Sequence, residues 1–139
     1  GWIRTDVPGQ TDRWFANCIY GSNPAAGYRM GLSGGRLCFA IPLTPWSHHL
    51  LADAPLPTGR WVHVAATYDG EVIRIYMDGR ECGSLARSGD VGCPSEALCI
   101  GNYAAGHQAH FEGALDELKL YRRALSADEI RAISEQGHD

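Results

Sequence analysis

No stretch of about 20 apolar residues occurs in this 139-residue chain, so it encodes no membrane-inserting helix. It also lacks a basic stripe. A formal charge of -4 and an isoelectric point near 5.8 argue against a nucleic-acid partner, whose phosphates call for clustered Lys and Arg. No leader-peptide pattern is visible. The opening Gly1-Trp2-Ile3-Arg4-Thr5 reads as a strand already under way, as in an excerpt from a longer polypeptide. The length suits one domain spanning 1–139.

Catalytic and metal signatures are scarce as well. Glycoside hydrolysis needs two carboxylates flanking a cleft, and no Glu-x-Asp-x-x-Glu run supplies them. No Gly-x-Ser-x-Gly elbow marks a nucleophile. His48-His49, and His107 with His110, lack the helical spacing and general-base Glu of a zinc protease, and read as solvated loop histidines. These absences point away from an enzyme. None of the five cysteines forms a C-x-x-C pair, which excludes a zinc ribbon. Their density suits an oxidising, extracellular or cell-envelope compartment. Two bridges among them allow fifteen arrangements. Either one or more bridges form, most readily within Cys82, Cys93 and Cys99, or the thiols are small buried side chains.

What the chain has is turns. Seventeen glycines and seven prolines, with a single helical pattern, predict an all-β fold. The organising stretch is Gly59–Gly79. Val62, Val64, Ala66 and Tyr68 alternate with His63, Ala65 and Thr67; Asp69-Gly70 turns; Ile73, Ile75 and Met77 alternate with Val72, Arg74 and Tyr76; Asp78-Gly79 turns again. A hairpin with one apolar face is marginal alone, so other strands must cover that face.

Further strands are expected over 1–7, 13–20, 28–32, 36–41, near Leu50-Leu51, over 80–85, at 98–101 and over 111–121. In the last, Ala114, Asp116, Leu118 and Leu120 share the face expected to be buried, which would set the Asp116 carboxylate against the core. Trp61 and Tyr68 read as core residues. Ser126-Ala127-Asp128-Glu129 is a capping box, with Leu125 and Ile130 as a hydrophobic staple and Gly137 as the stop of a short C-terminal helix.

Several spaced motifs, in order, resemble one family. Trp61, His63-Val64-Ala65, Thr67-Tyr68-Asp69-Gly70, Tyr76, Asp78-Gly79, Ile100-Gly101, Gly113, Asp116-Glu117, Tyr121, Arg123-Ala124-Leu125-Ser126, Glu129 and Ile130 match the pattern of a laminin G-like, concanavalin A-like jelly roll of the bacterial accessory-domain type. The resemblance implies two antiparallel sheets packed face to face, in a domain lacking its N-terminal strand. An exposed sheet edge would follow, and with it pairing with a partner or a homodimer. It implies a non-catalytic module, carbohydrate-binding or adhesive, on a larger secreted protein. The alternative is a structural or protein-interaction module without a glycan ligand.

Strand alternation places His63, Thr67, Arg74 and Tyr76 on one outward sheet surface, where rings and polar groups could meet a sugar. Loop residues Tyr28, Trp46, His49, Tyr103 and His107 would rim it. Relatives of this type often hold a structural Ca²⁺ near the position of Asp116, so Asp116 is the candidate metal ligand; the plainer role is to accept backbone N–H bonds at the strand end.

Overall fold

The computed structural model describes residues 1–18, 27–41, 50–92, 97–102 and 109–138. The elements are β1 (Trp2–Arg4), β2 (Arg13–Asn17), β3 (Arg29–Ser33), β4 (Arg36–Ala40), β5 (Leu50–Pro55), β6 (Val62–Tyr68), β7 (Val72–Met77), β8 (Arg80–Ala86), β9 (Cys99–Ile100), β10 (Ala114–Asp116) and α1 (Ala127–Glu135). The strands pair antiparallel in two five-stranded sheets, ordered β10-β1-β6-β7-β8 and β5-β4-β3-β2-β9. This is the expected all-β jelly-roll sandwich with one short C-terminal helix.

The β6–β7 hairpin forms as its alternation requires. Val64 faces Met77, Ala66 faces Ile75 and Tyr68 faces Ile73. The Asp69 carboxylate accepts N–H bonds from Glu71 (3.0 Å) and Val72 (2.7 Å), while Gly70 takes the left-handed φ of 98°. The inward residues of both sheets meet in one core: Ile3, Val62, Val64, Ile73 and Ile75 from the first, Phe15, Leu32, Leu37, Phe39 and Ile41 from the second. Full burial of such side chains is worth about 1.5–3 kcal/mol each.

The helix is built as its sequence demands. Ser126 Oγ accepts from Glu129 N–H (3.2 Å), and Ser126 N–H donates to the Glu129 carboxylate (2.8 Å). Arg123 grips the same carboxylate at 2.6 and 2.8 Å, and this pairing holds Glu129 down at about 2. Ile130 is buried.

Two expectations fail at the chain's end. The last strand stops at Asp116, because Glu117 takes a left-handed φ of 48° and turns out of the sheet. The inward face is also the opposite one. Register sets Leu115 beside the core residue Ile3, so Leu115 packs inward while Ala114, Asp116, Leu118 and Leu120 are exposed. Trp61 is not a core residue either; it is half-buried outside the sandwich.

At Gly79 the hairpin end meets the helix. A Cβ there would lie 3.0 Å from Arg131 Cα, and φ is 75°. Gly79→Ala is therefore expected to lower unfolding free energy by about 2 kcal/mol in denaturant titration. An unchanged midpoint would show that α1 does not rest on this turn.

Candidate functional site

His63, Thr67, Arg74 and Tyr76 do share one face of the first sheet. Thr67 stands opposite Arg74, and Tyr76 opposite Ala65. The face is not open, however: His63, Thr67 and Tyr76 are all buried. Helix α1 and the C-terminal turn lie against it. Tyr76 is hydrogen-bonded to Thr67. Arg74 is held by Asp69 at 2.7 Å and approaches Glu81 at 3.8 Å. The row is brought together as alternation requires, then covered by the chain's own end. Tyr28 belongs elsewhere: it faces between the sheets, tilted against Phe39 at 6.4 Å. Trp46, Tyr103, His48, His49, His107 and Cys93 lie outside the described residues.

The cover ends in a ring cluster. His138 stacks on Trp61 at 4.1 Å and meets Trp2 edge-on at 5.7 Å. Trp2 meets His63 edge-on at 5.2 Å. Burial, then the nearby Gly1 ammonium, push His63 down to about 4.

Beside β6 opens a cleft of about 910 Å³. Its inner wall includes Phe15, Tyr28, Phe39 and Ile41, and its outer wall Leu125, Ile130 and Ile133. Leu98, Ile100, Leu118, Leu120 and Tyr121, five exposed apolar side chains, border it. Glu117 is the one carboxylate among the described residues that line it.

A second feature escaped the sequence reading. On the outer face of the second sheet, the Arg29 guanidinium lies 4.3 Å over the Trp14 ring. Asn17 stands opposite Arg29, and Cys38 opposite Gly31. All are buried: Trp14 at 4%, Arg29 at 6%, Asn17 and Cys38 at 0% relative exposure. Gly31 is what lets the Trp14 ring lie across β3, since a Cβ would sit 2.7 Å from that ring. Asn17 and Arg29 each alternate with core residues, which was the available signal; Trp14 gave none for its face.

Comparison with known proteins fixes the family. A laminin G-type family model, described as the concanavalin A-like lectin/glucanases superfamily, matches residues 1–131. The chain belongs to that superfamily. Among solved structures, the heptameric pentraxin of Limulus polyphemus superimposes with a TM-score of 0.69 at 17% identity, over 96% of this chain and 66% of that one. A candidate carbohydrate-binding protein from Bacteroides ovatus gives 0.67 at 23% identity, over 94% of this chain and 38% of that one. Mouse pappalysin-1 is 34% identical over 77 residues, 52% of this chain. The chain thus spans 5% of that curated relative's length.

In this concanavalin A-like domain Asp116 accepts a backbone N–H bond at the end of β10. Its Oδ1 accepts Glu117 N–H at 2.7 Å, and its Oδ2 faces His138 Nε2 at 3.1 Å. Among the described residues no three His, Cys, Asp or Glu side chains converge on a point. The expected disulfide is not formed by Cys82 or Cys99, which are free thiols like Cys18 and Cys38. Topology explains it: β8 packs against β5, whereas β9 is the opposite edge of β5's own sheet. Burial pushes Cys38 up to about 12 and Cys82 up to about 11.

His63 generates a pH prediction. Its folded value lies below that of an unfolded histidine, so the folded state resists protonation. Its contribution is full above about pH 6.5 and is lost as pH falls toward 4, by up to about 3 kcal/mol. Denaturant titrations at pH 7 and 4.5 should show the loss, and His63→Gln should flatten it. An equal loss in the variant would refute the assignment.

The Cys38 thiol is expected to resist iodoacetamide at pH 8 in the native protein and to react at once in denaturant. Rapid native labelling at Cys38, read by peptide mass, would contradict its burial.

Proposed function

We propose that this domain is a non-catalytic binding module of the carbohydrate-binding or adhesion class, carried by a larger extracellular protein. The observation that supports it is the concanavalin A-like sandwich itself, in a family described as lectin/glucanases.

The candidate ligand residues of this reading are the loop aromatics Trp46 and Tyr103. The fold likeness to the Bacteroides ovatus protein supports the scaffold. Glycosidase chemistry needs paired carboxylates, and Glu117 stands alone in the described lining of the cleft.

A second reading is a protein-interaction module. The exposed Leu98, Ile100, Leu118, Leu120 and Tyr121 favour it, since a contiguous apolar patch marks a contact surface.

A glycan array probed with the 139-residue domain, with and without EDTA, separates the two. Binding is expected to survive EDTA. Trp46→Ala and Tyr103→Ala are each expected to weaken it at least about tenfold with unchanged melting, the loss of one stacking partner. EDTA-sensitive binding would restore the calcium ligand role of Asp116. No binding to any glycan would leave the interaction module as the reading.

A further inference from the structure

The outer face of the first sheet holds a slot that the chain fills with its own ring. Three elements build it. Ahead of β6, Trp61 is half-buried, and its indole forms the floor. Trp2 of β1 stands to one side. Asp116, the last residue of β10, pairs opposite Trp2 and keeps its side chain 55% exposed. The register also places Arg4. Trp2 faces His63 and Ile3 faces Val62, so the next pair sets Arg4 level with Trp61. Ile3 points into the core, so Arg4 points outward, with its side chain 46% exposed and 3.7 Å from Asp6.

His138 is the occupant. Gly137 takes a left-handed φ of 80° after α1 and turns the chain toward the slot. The imidazole lies on Trp61 at 4.1 Å with 17° between the planes, and Trp2 meets it edge-on at 5.7 Å. Its Nε2 reaches Asp116 Oδ2 at 3.1 Å. Helix α1 has its own anchors: Ile130 is buried at 1% exposure, and the backbone at Arg131 closes on the Gly79 turn.

We propose that this slot is a subsite for a neutral sugar, and that His138 is its tethered competitor. The proposal rests on the domain being a carbohydrate-binding module, and it adds Trp61, Asp116 and Arg4 to the candidate ligand residues. A pyranose has a C–H face and a rim of hydroxyls. The C–H face takes the place of the imidazole on the Trp61 indole, carbon against aromatic carbon. A hydroxyl at the position of Nε2 donates to Asp116 Oδ2 in a charge-assisted bond. Arg4, a fork of N–H donors level with the same indole, serves neighbouring hydroxyls. The two charges also select the ligand. A cation would be repelled by Arg4 and an anion by Asp116, whereas a polyol can donate to one and accept from the other. Because His138 is joined to the slot by a short tether, it competes at high effective concentration.

The test probes a glycan array, with EDTA present, using the 139-residue chain and three variants. His138→Ala removes the competitor, and binding is expected to tighten about fivefold, the worth of one ring contact. Trp61→Ala removes the floor and is expected to weaken binding at least about tenfold. Because Trp61 is half-buried, Arg4→Gln serves as a second loss variant that leaves the core untouched, with an expected weakening of about threefold. His138→Ala and Arg4→Gln should melt with the parent chain. Binding that His138→Ala leaves unchanged or weakens would overturn the tethered competitor. Binding that Trp61→Ala and Arg4→Gln both leave unchanged would overturn the subsite, with the glycan reading still standing on Trp46 and Tyr103. No binding by the parent chain or by His138→Ala would overturn both.

Discussion

One constraint governs this molecule: β6 has a complete neighbour on one side and half a neighbour on the other. Strand β7 pairs along it from Val64 to Tyr68. β1 pairs only with its beginning. Backbone amides and carbonyls left without partners are costly inside protein, and an unpaired strand edge attracts another strand. The rest of the fold arranges itself around that imbalance. β10 can follow β1 only as far as β1 reaches. Beyond Asp116 the chain has no ladder to join, and it crosses the gap as an extended segment whose Leu118, Leu120 and Tyr121 face solvent.

The same segment decides which surface is free. After the gap, Arg123 and Ser126 lock the start of α1 through Glu129, and the helix returns along the outer face of the first sheet. His138 then wedges beside Trp61 and Trp2. The outward row of β6 and β7, which on strand alternation alone is the obvious ligand surface, becomes the bed of the chain's own C-terminus. Its polar members are spoken for locally: Tyr76 by Thr67, Arg74 by Asp69. The outer face of the second sheet is closed as well, with Trp14, Arg29 and Asn17 at 4%, 6% and 0% exposure.

Much of this was legible in the sequence because period-2 alternation and turn chemistry are local. The Asp69-Gly70 and Asp78-Gly79 turns, the β3–β4 pair around Ser33–Arg36 and the capping box at Ser126 all follow from residues within five positions of one another. The failures are non-local. Alternation says that Leu115 and Asp116 face opposite ways, but only pairing with Ile3, more than a hundred residues away, says which way is in. Burial of His63 depends on Trp2 of β1 packing against its ring, which no pattern inside β6 encodes. Cys82 and Cys99 are seventeen positions apart and sit at opposite edges of the sandwich, so sequence proximity misled there. Arg29 and Trp14 were missed because a cation and a ring fifteen residues apart have no visible connection until β2 and β3 pair.

The contrast between the two recesses is then a contrast of chemistry. The cleft beside β6 is walled mainly by aliphatic and aromatic carbon, with Glu117, Lys119, Arg122 and Arg123 among its polar lining residues. The outer face of the second sheet is the reverse. Arg29 and Asn17 keep polar side chains at 6% and 0% exposure on a surface that Leu or Val would have filled at less expense. A fold tolerates a buried guanidinium where an aromatic ring lies against it, and that contact ties β2 to β3 across their outer face.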